Sequence, residues 1–285
     1  MKNFGGFFRE IAELVENGFF DSMNITKQKK ANALIDSYLR DYVRRSFKRA
    51  TSLTTTDLNR AYIWYKEKGF TKNNKGLRGW RLVKTKPLLR EELKRRIHFS
   101  LSLISTHNEQ TASRLRARFL DWIENRGQDG KKQPLRETLK AGDLFQKRDK
   151  HMKMVLGDQT RKLIGNFDNI VAQEYQAIGF FWKTRRDRKV VGNPAGKYPG
   201  QGNPKHGDHY VRQDKFYFFH STWAIKKGLV NTKHKNFRWA DFEDGMPGQP
   251  INCRCYAYNI YELDDIPEEL LTEKGEAYIK ENSPV

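Results

Sequence analysis

Apolar residues recur every three or four positions through roughly the first 178 residues, and then the pattern changes. In ITKQKKANALIDSYLRDYVRRSFKRA, Leu34, Ile35, Tyr38, Leu39, Tyr42, Val43 and Phe47 share one helical face. TTTDLNRAYIWYKEKGF predicts a second helix, capped by Thr56 and stopped near Gly69. Pro87 suits the first position of a third helix running through LLREELKRRIHFSLSLIST. NEQTASRLRARFLDWIENRG repeats Leu115, Phe119 and Ile123 at four-residue steps and stops at Gly127, before a polar loop over 127–134. DKHMKMVLGDQTRKLIGNFDNIVAQEYQAIG reads as one long helix, or as two joined near Gly157 or Gly165.

After Gly179, proline and glycine become frequent, and short aromatic runs appear at 180–184, 215–220 and 253–260, which suit strands. The expected class is α+β. A basic helical region over 1–150 precedes a smaller α+β domain over 151–285 with short strands. An acidic terminal helix is expected to begin after Pro267. No internal repeat is visible.

The chain has 54 Lys and Arg against 34 Asp and Glu, a formal net charge of +20 over 285 residues. Residues 51–250 hold 41 of the basic and 20 of the acidic residues, while the last 35 residues reverse the sign, with 3 against 8. Such an excess repels itself and favours a polyanionic neighbour, nucleic acid first and an anionic membrane surface second. Three basic clusters lie on the helical segments: Arg44, Arg45, Lys48 and Arg49; Lys94, Arg95 and Arg96; and Arg114, Arg116 and Arg118. Phosphate contacts need only positive charge at a surface, so these residues suit double-stranded DNA without base readout. No stretch approaches the length and apolarity of a membrane span. The opening segment holds Glu10, Glu13 and Glu16 within its apolar run, unlike a secretory leader. Two cysteines do not make a disulfide scaffold, and synthesis in a reducing cytoplasm fits best.

Both cysteines lie in PGQPINCRC, one residue apart. In an extended chain the Cα atoms of Cys253 and Cys255 stand roughly 6.5–7 Å apart, a poor distance for a disulfide. Two readings stay open. The thiols can be small buried hydrophobes facing one core. Alternatively they complete a Cys2His2 set with His206 and His209 of NPKHGDHY, a familiar composition for structural zinc, although CxC is tighter than the usual CxxC. Cys253 beside Arg254 is a candidate for a lowered pKa, with no histidine tied to it by spacing. Signatures such as GxSxG, a P-loop, GxGxxG and HExxH are missing from the sequence.

Residues 150–260 resemble the phage Mu F-like minor head protein family, also called phage head morphogenesis proteins. The matching residues are Trp182, Thr184, Asp187 and Arg188, then His206 or His209, then Pro250, Asn252, Cys253, Arg254 and Cys255. The sequence departs from the family's compact His-x-x-x-Asp-Gly turn by inserting VVGNPAGKYPGQGNPK before its histidines. The resemblance implies a few-copy, non-enzymatic virion protein inside the head, made in the host cytoplasm. It also implies contact with the portal or major capsid protein, an oligomer within the virion, a role in head assembly, and ejection with the DNA. A different class of function, a metal-dependent nuclease or toxin-like effector, would use His206, Asp208, His209 and Asn252 around a divalent ion.

Overall fold

The computed structural model describes residues 13, 25–124, 141–195 and 209–282. The expected loop at 127–134, most of the glycine- and proline-rich run, His206 and Asp208 lie outside the described residues. What is described is α+β: three long helices, then a small antiparallel sheet with short helices around it.

Helix α1 spans Ile25–Trp64. Its buried positions, Ile35, Leu39, Tyr42, Ala50, Leu58, Ala61 and Tyr62, continue one stripe past the expected cap at Thr56, so two predicted helices are one. The threonine-rich stretch does not break the helix. Thr51 Oγ1 donates to the Phe47 carbonyl one turn back, a bond made from within a helix. Nor does Gly69 stop the chain. A wider π turn over Tyr65–Gly69 leads into α2, Phe70–Asn73. A Cβ on Gly69 would stand 2.7 Å from the rings of both Trp64 and Tyr65, so this glycine makes room for packing.

After a 3-10 turn at Gly79–Arg81, α3 spans Leu82–Glu124 as one helix where two were expected. Pro87 lies inside it, not at its first position. Only one turn precedes Pro87, so a single main-chain bond is forfeited, to the carbonyl of solvent-exposed Val83. Helix α4 spans Ala141–Glu174 and runs straight through Gly157 and Gly165. At Gly165 an added Cβ would be 2.9 Å from the Pro247 carbonyl, which is close backbone approach and not a helix break.

The chain forms two compact units that are discontinuous in sequence: 1–55 with 98–155, and 56–97 with 156–285. The expected single cut after residue 150 falls inside α4, and each long helix contributes residues to both units. In the first unit, Ile35, Leu39, Tyr42, Ile104, Leu115 and Phe119 are buried, Arg116 pairs with Asp36, and His107 stacks on His151.

In the second unit, β1 (Gly179–Lys183) lies between β2 (Phe216–Phe218) and β3 (Tyr256–Ile260), antiparallel to both. The three aromatic runs thus become the three strands. Alternation along β1 divides the core. Phe180 and Trp182 join Tyr217, Cys253, Cys255 and Ala257 on one side, while Phe181 packs with Ile178, Phe216, Phe218 and Ile260 on the other. Helix α5 is Trp223–Lys226. The final helix, α6, begins at Glu273, five residues later than Pro267 suggests. A 3-10 turn at Glu268–Leu270 and a bridge from Leu271 to Val230 take up the intervening residues. No helix among the described residues is long and apolar enough to cross a membrane.

Candidate metal centre

PGQPINCRC is a turn held by α4 that leads into β3. Asn252 adopts φ 59°, a left-handed conformation that asparagine tolerates better than most residues. The reversal closes with a bond from Cys253 N–H to the Pro250 carbonyl, 3.0 Å. Asn252 N–H donates to Asp158 Oδ1 on α4 at 2.6 Å, and Arg161 donates to the Asn252 side-chain oxygen at 3.3 Å. Cys253 and Cys255 therefore arrive side by side in the core as free thiols, each 7% exposed.

The loop that precedes β2 brings His209 against them. Its Nδ1 is 3.5 Å from Cys253 Sγ and 3.6 Å from Cys255 Sγ. The three ligand atoms all lie within 4.8 Å of one another, and all three residues are buried. On the far side of the ring, Nε2 is 2.7 Å from Asp244 Oδ2. Asp244 also accepts from Arg212 Nη1, at 3.0 and 3.2 Å. A carboxylate only accepts, so Nε2 carries the donated proton and Nδ1 can turn a lone pair toward the sulfurs. The Arg212 guanidinium lies 4.7 Å from the ring centroids of both Trp182 and Phe242. Trp182 meets the His209 ring edge-on at 5.2 Å.

Electrostatics tie the three groups together. The Cys255 thiol holds the Cys253 pKa well below its ordinary value by hydrogen bonding, with His209 adding to this against the effect of burial. That same bond and burial push Cys255 up, opposed by the indole N–H of Trp182. This N–H is buried without an oxygen or nitrogen partner. For His209, burial disfavours the charged ring, but Cys253 and then Asp244 outweigh it and the pKa is raised.

The motif residues largely converge. Asp187 pairs with Arg254 and also accepts from Lys189 N–H at 2.9 Å, while Trp182 is wholly buried beside the cysteines. Arg188 is exposed. His206 and Asp208 lie outside the described residues. Of the residues suggested for a nuclease, the described ones are His209, which is buried, and Asn252, which is exposed and accepts from Arg161 through its side-chain oxygen.

The basic residues divide differently. Arg44, Arg45, Lys48, Arg49, Arg114 and Arg116 are exposed and Arg118 is half-buried, all in the first unit. Arg44 and Arg45 share Asp41. Lys94, Arg95 and Arg96 belong to the second unit, where Lys94 pairs with Glu91 and Arg95 with Glu92. Arg96 turns inward, to Glu92 and to Gln159 Oε1 at 2.9 Å. Its helical position places it beside α4, so it is a core-facing partner and not a phosphate ligand.

Sequence reasoning missed Asp244 and Arg212. Arg212 follows His209 by three residues, but Asp244 lies among Asp241 and Glu243 with nothing local to mark it. Asp241 shows the difficulty: it also pairs with a histidine, His220, at 2.8 Å, yet that pair is exposed. A second buried polar cluster was missed as well. Asp168 on α4 accepts from Tyr65 OH at 2.8 Å and from Asn73 at 3.0 Å, and burial raises its pKa to about 8. Asn259 on β3 donates to Asn74 Oδ1 and to the Asp168 carbonyl, and Tyr261 OH also donates to Asn74 Oδ1.

Comparison with protein-family models, with curated proteins and with solved structures finds no match for this chain.

Proposed function

We propose that this chain is a non-enzymatic minor structural protein of a tailed-phage head that contacts packaged DNA without sequence specificity. The observation that carries the reading is the meeting of residues far apart in the chain that share the family resemblance. Asp187 reaches Arg254, and Trp182 and His209 meet Cys253 and Cys255. The motif residues thus support one another as a structural unit, which suits a scaffold for assembly contacts. The net charge of +20 is a separate support, because a protein confined beside DNA sits in a dense polyanion. Its partners in this reading are the portal or major capsid protein.

The DNA part is tested by titrating the protein onto duplexes of unrelated sequence at several salt concentrations. Affinities should agree between sequences and fall linearly with log salt. Replacing exposed Lys48, Arg49 and Arg114 by Gln should lower the slope by about three units if each contacts a phosphate. No binding at low salt would remove this part of the reading. The virion part is tested by mass spectrometry of purified heads, where the chain should be present in fewer copies than the capsid protein; its absence overturns the assignment.

A further inference from the structure

We propose that His209, Cys253 and Cys255 bind a zinc ion that ties the PGQPINCRC turn to the loop bearing His209. The distances carry the inference. A sulfur about 2.3 Å and a nitrogen about 2.0–2.1 Å from one ion, spread tetrahedrally, stand about 3.5–3.6 Å apart, and two such sulfurs about 3.8 Å. Nδ1 of His209 is 3.5 and 3.6 Å from the two sulfurs. Hydrogen bonding explains only half of this arrangement, because Nδ1 makes one good hydrogen bond, whether it accepts from a thiol or donates to a thiolate, and two sulfurs stand at nearly the same distance from it. A cation placed between the three atoms accounts for both distances at once.

The surroundings are those of a metal-bound imidazole. Asp244 accepts from Nε2 and is itself oriented by Arg212, which fixes the ring and directs Nδ1 toward the sulfurs. Trp182 Nε1 is buried without a hydrogen-bond partner in the cluster that holds Cys255, where a thiolate would be a better acceptor than a thiol. Two thiolates and a neutral imidazole favour zinc among the common divalent ions, and their negative charge balances the dication. Binding releases the thiol protons to solvent. Among the described residues, no other His, Cys, Asp or Glu joins this group. Three protein ligands leave the fourth tetrahedral position to a water molecule, and the burial of all three suits an ion that staples the turn to the loop.

The test uses the full chain, purified under reducing conditions from zinc-supplemented cells. Elemental analysis should find about one zinc per chain, and His209→Ala or Cys253→Ser should abolish it. Because these variants can fail to fold, the wild-type protein supplies a second readout. Anaerobic exchange with cobalt(II) should produce thiolate-to-cobalt charge transfer and the visible bands of a tetrahedral site. Asp244→Asn should keep the cobalt spectrum but weaken zinc binding about 10–100-fold in chelator competition. A folded chain that takes up no zinc after anaerobic reconstitution overturns the proposal. So does a cobalt spectrum without thiolate bands, an Asp244→Asn variant with unchanged affinity, or stoichiometric iron or copper that zinc does not displace.

Discussion

Among the described residues of the second unit, two buried polar clusters lie at opposite ends of β3 and are built on different balances. The Asp168 cluster pairs donors with acceptors: Tyr65 and Asn73 on its carboxyl group, Asn259 and Tyr261 on Asn74. The His209 cluster instead turns a nitrogen lone pair and two sulfurs toward one point, and its donor, Nε2–H, faces away to Asp244. In the first cluster every donor finds an acceptor, and only the Asn259 side-chain oxygen is left without a partner, so the network stabilises packing. A cluster whose acceptors converge is one that the proposed zinc ion would complete. The lesson is that burial and polarity alone do not mark a ligand site; the direction of the lone pairs does.

The largest expected effect tests the closed cluster. Asp168→Ala leaves the Tyr65 hydroxyl and Asn73 amide unpaired in the core and should cost about 3–5 kcal/mol in denaturant unfolding. A loss under about 1 kcal/mol would mean that the network contributes little. A smaller effect is expected from pH. The Asp168 carboxyl is raised from its ordinary value to about 8, chiefly by burial, so the folded state holds a proton that the unfolded state releases. Its contribution is present in full below the ordinary carboxylate range and is lost as pH rises toward about 8. Asp168→Asn, with Oδ1 accepting from Asn73 and its amide donating to the Tyr65 oxygen as a protonated carboxyl does, should flatten that decline. A wild-type profile that rises over the same range would contradict the protonated state.

The smallest effect concerns the turn that delivers the cysteines. Asn252→Ala places a residue with no polar side chain at φ 59° and removes the contact with Arg161, at a cost of about 1–2 kcal/mol. Asn252→Gly should recover most of that loss, because glycine adopts this conformation freely. Equal losses in the two variants would assign the asparagine's role to its side chain, and no loss in either would show that the turn is held by Asp158 and the backbone alone.

Much of the architecture was legible because it depends on period. The helical stripe from Ile35 to Phe47 and the aromatic runs beginning at Phe180, Lys215 and Cys253 announce their elements locally. Helix boundaries were less legible. Thr56, Gly69, Pro87 and Gly165 are all local stop or start signals, yet each lies within continuous backbone. Burial of Leu58, Tyr65, Leu89 and Phe167 on the same stripes outweighs the fraction of a kcal/mol to few kcal/mol that such residues withdraw.

The site divides in the same way. Residue chemistry alone nominated His206, His209, Cys253 and Cys255, of which His206 lies outside the described residues, since thiols and imidazole are uncommon enough in this chain to stand out. Their meeting required the return of the chain after β1, the left-handed turn at Asn252 and the grip of α4 on that turn. Asp244, Arg212 and Asp168 are ordinary residues of a heavily charged chain, and nothing beside them in the sequence separates them from their exposed neighbours. Sequence by itself determined the class, the helical and strand periods and the charge, because those are set by each segment's own side chains. Tertiary structure decided which polar groups were buried together and which way their lone pairs faced, because both depend on elements brought into contact from distant parts of the chain.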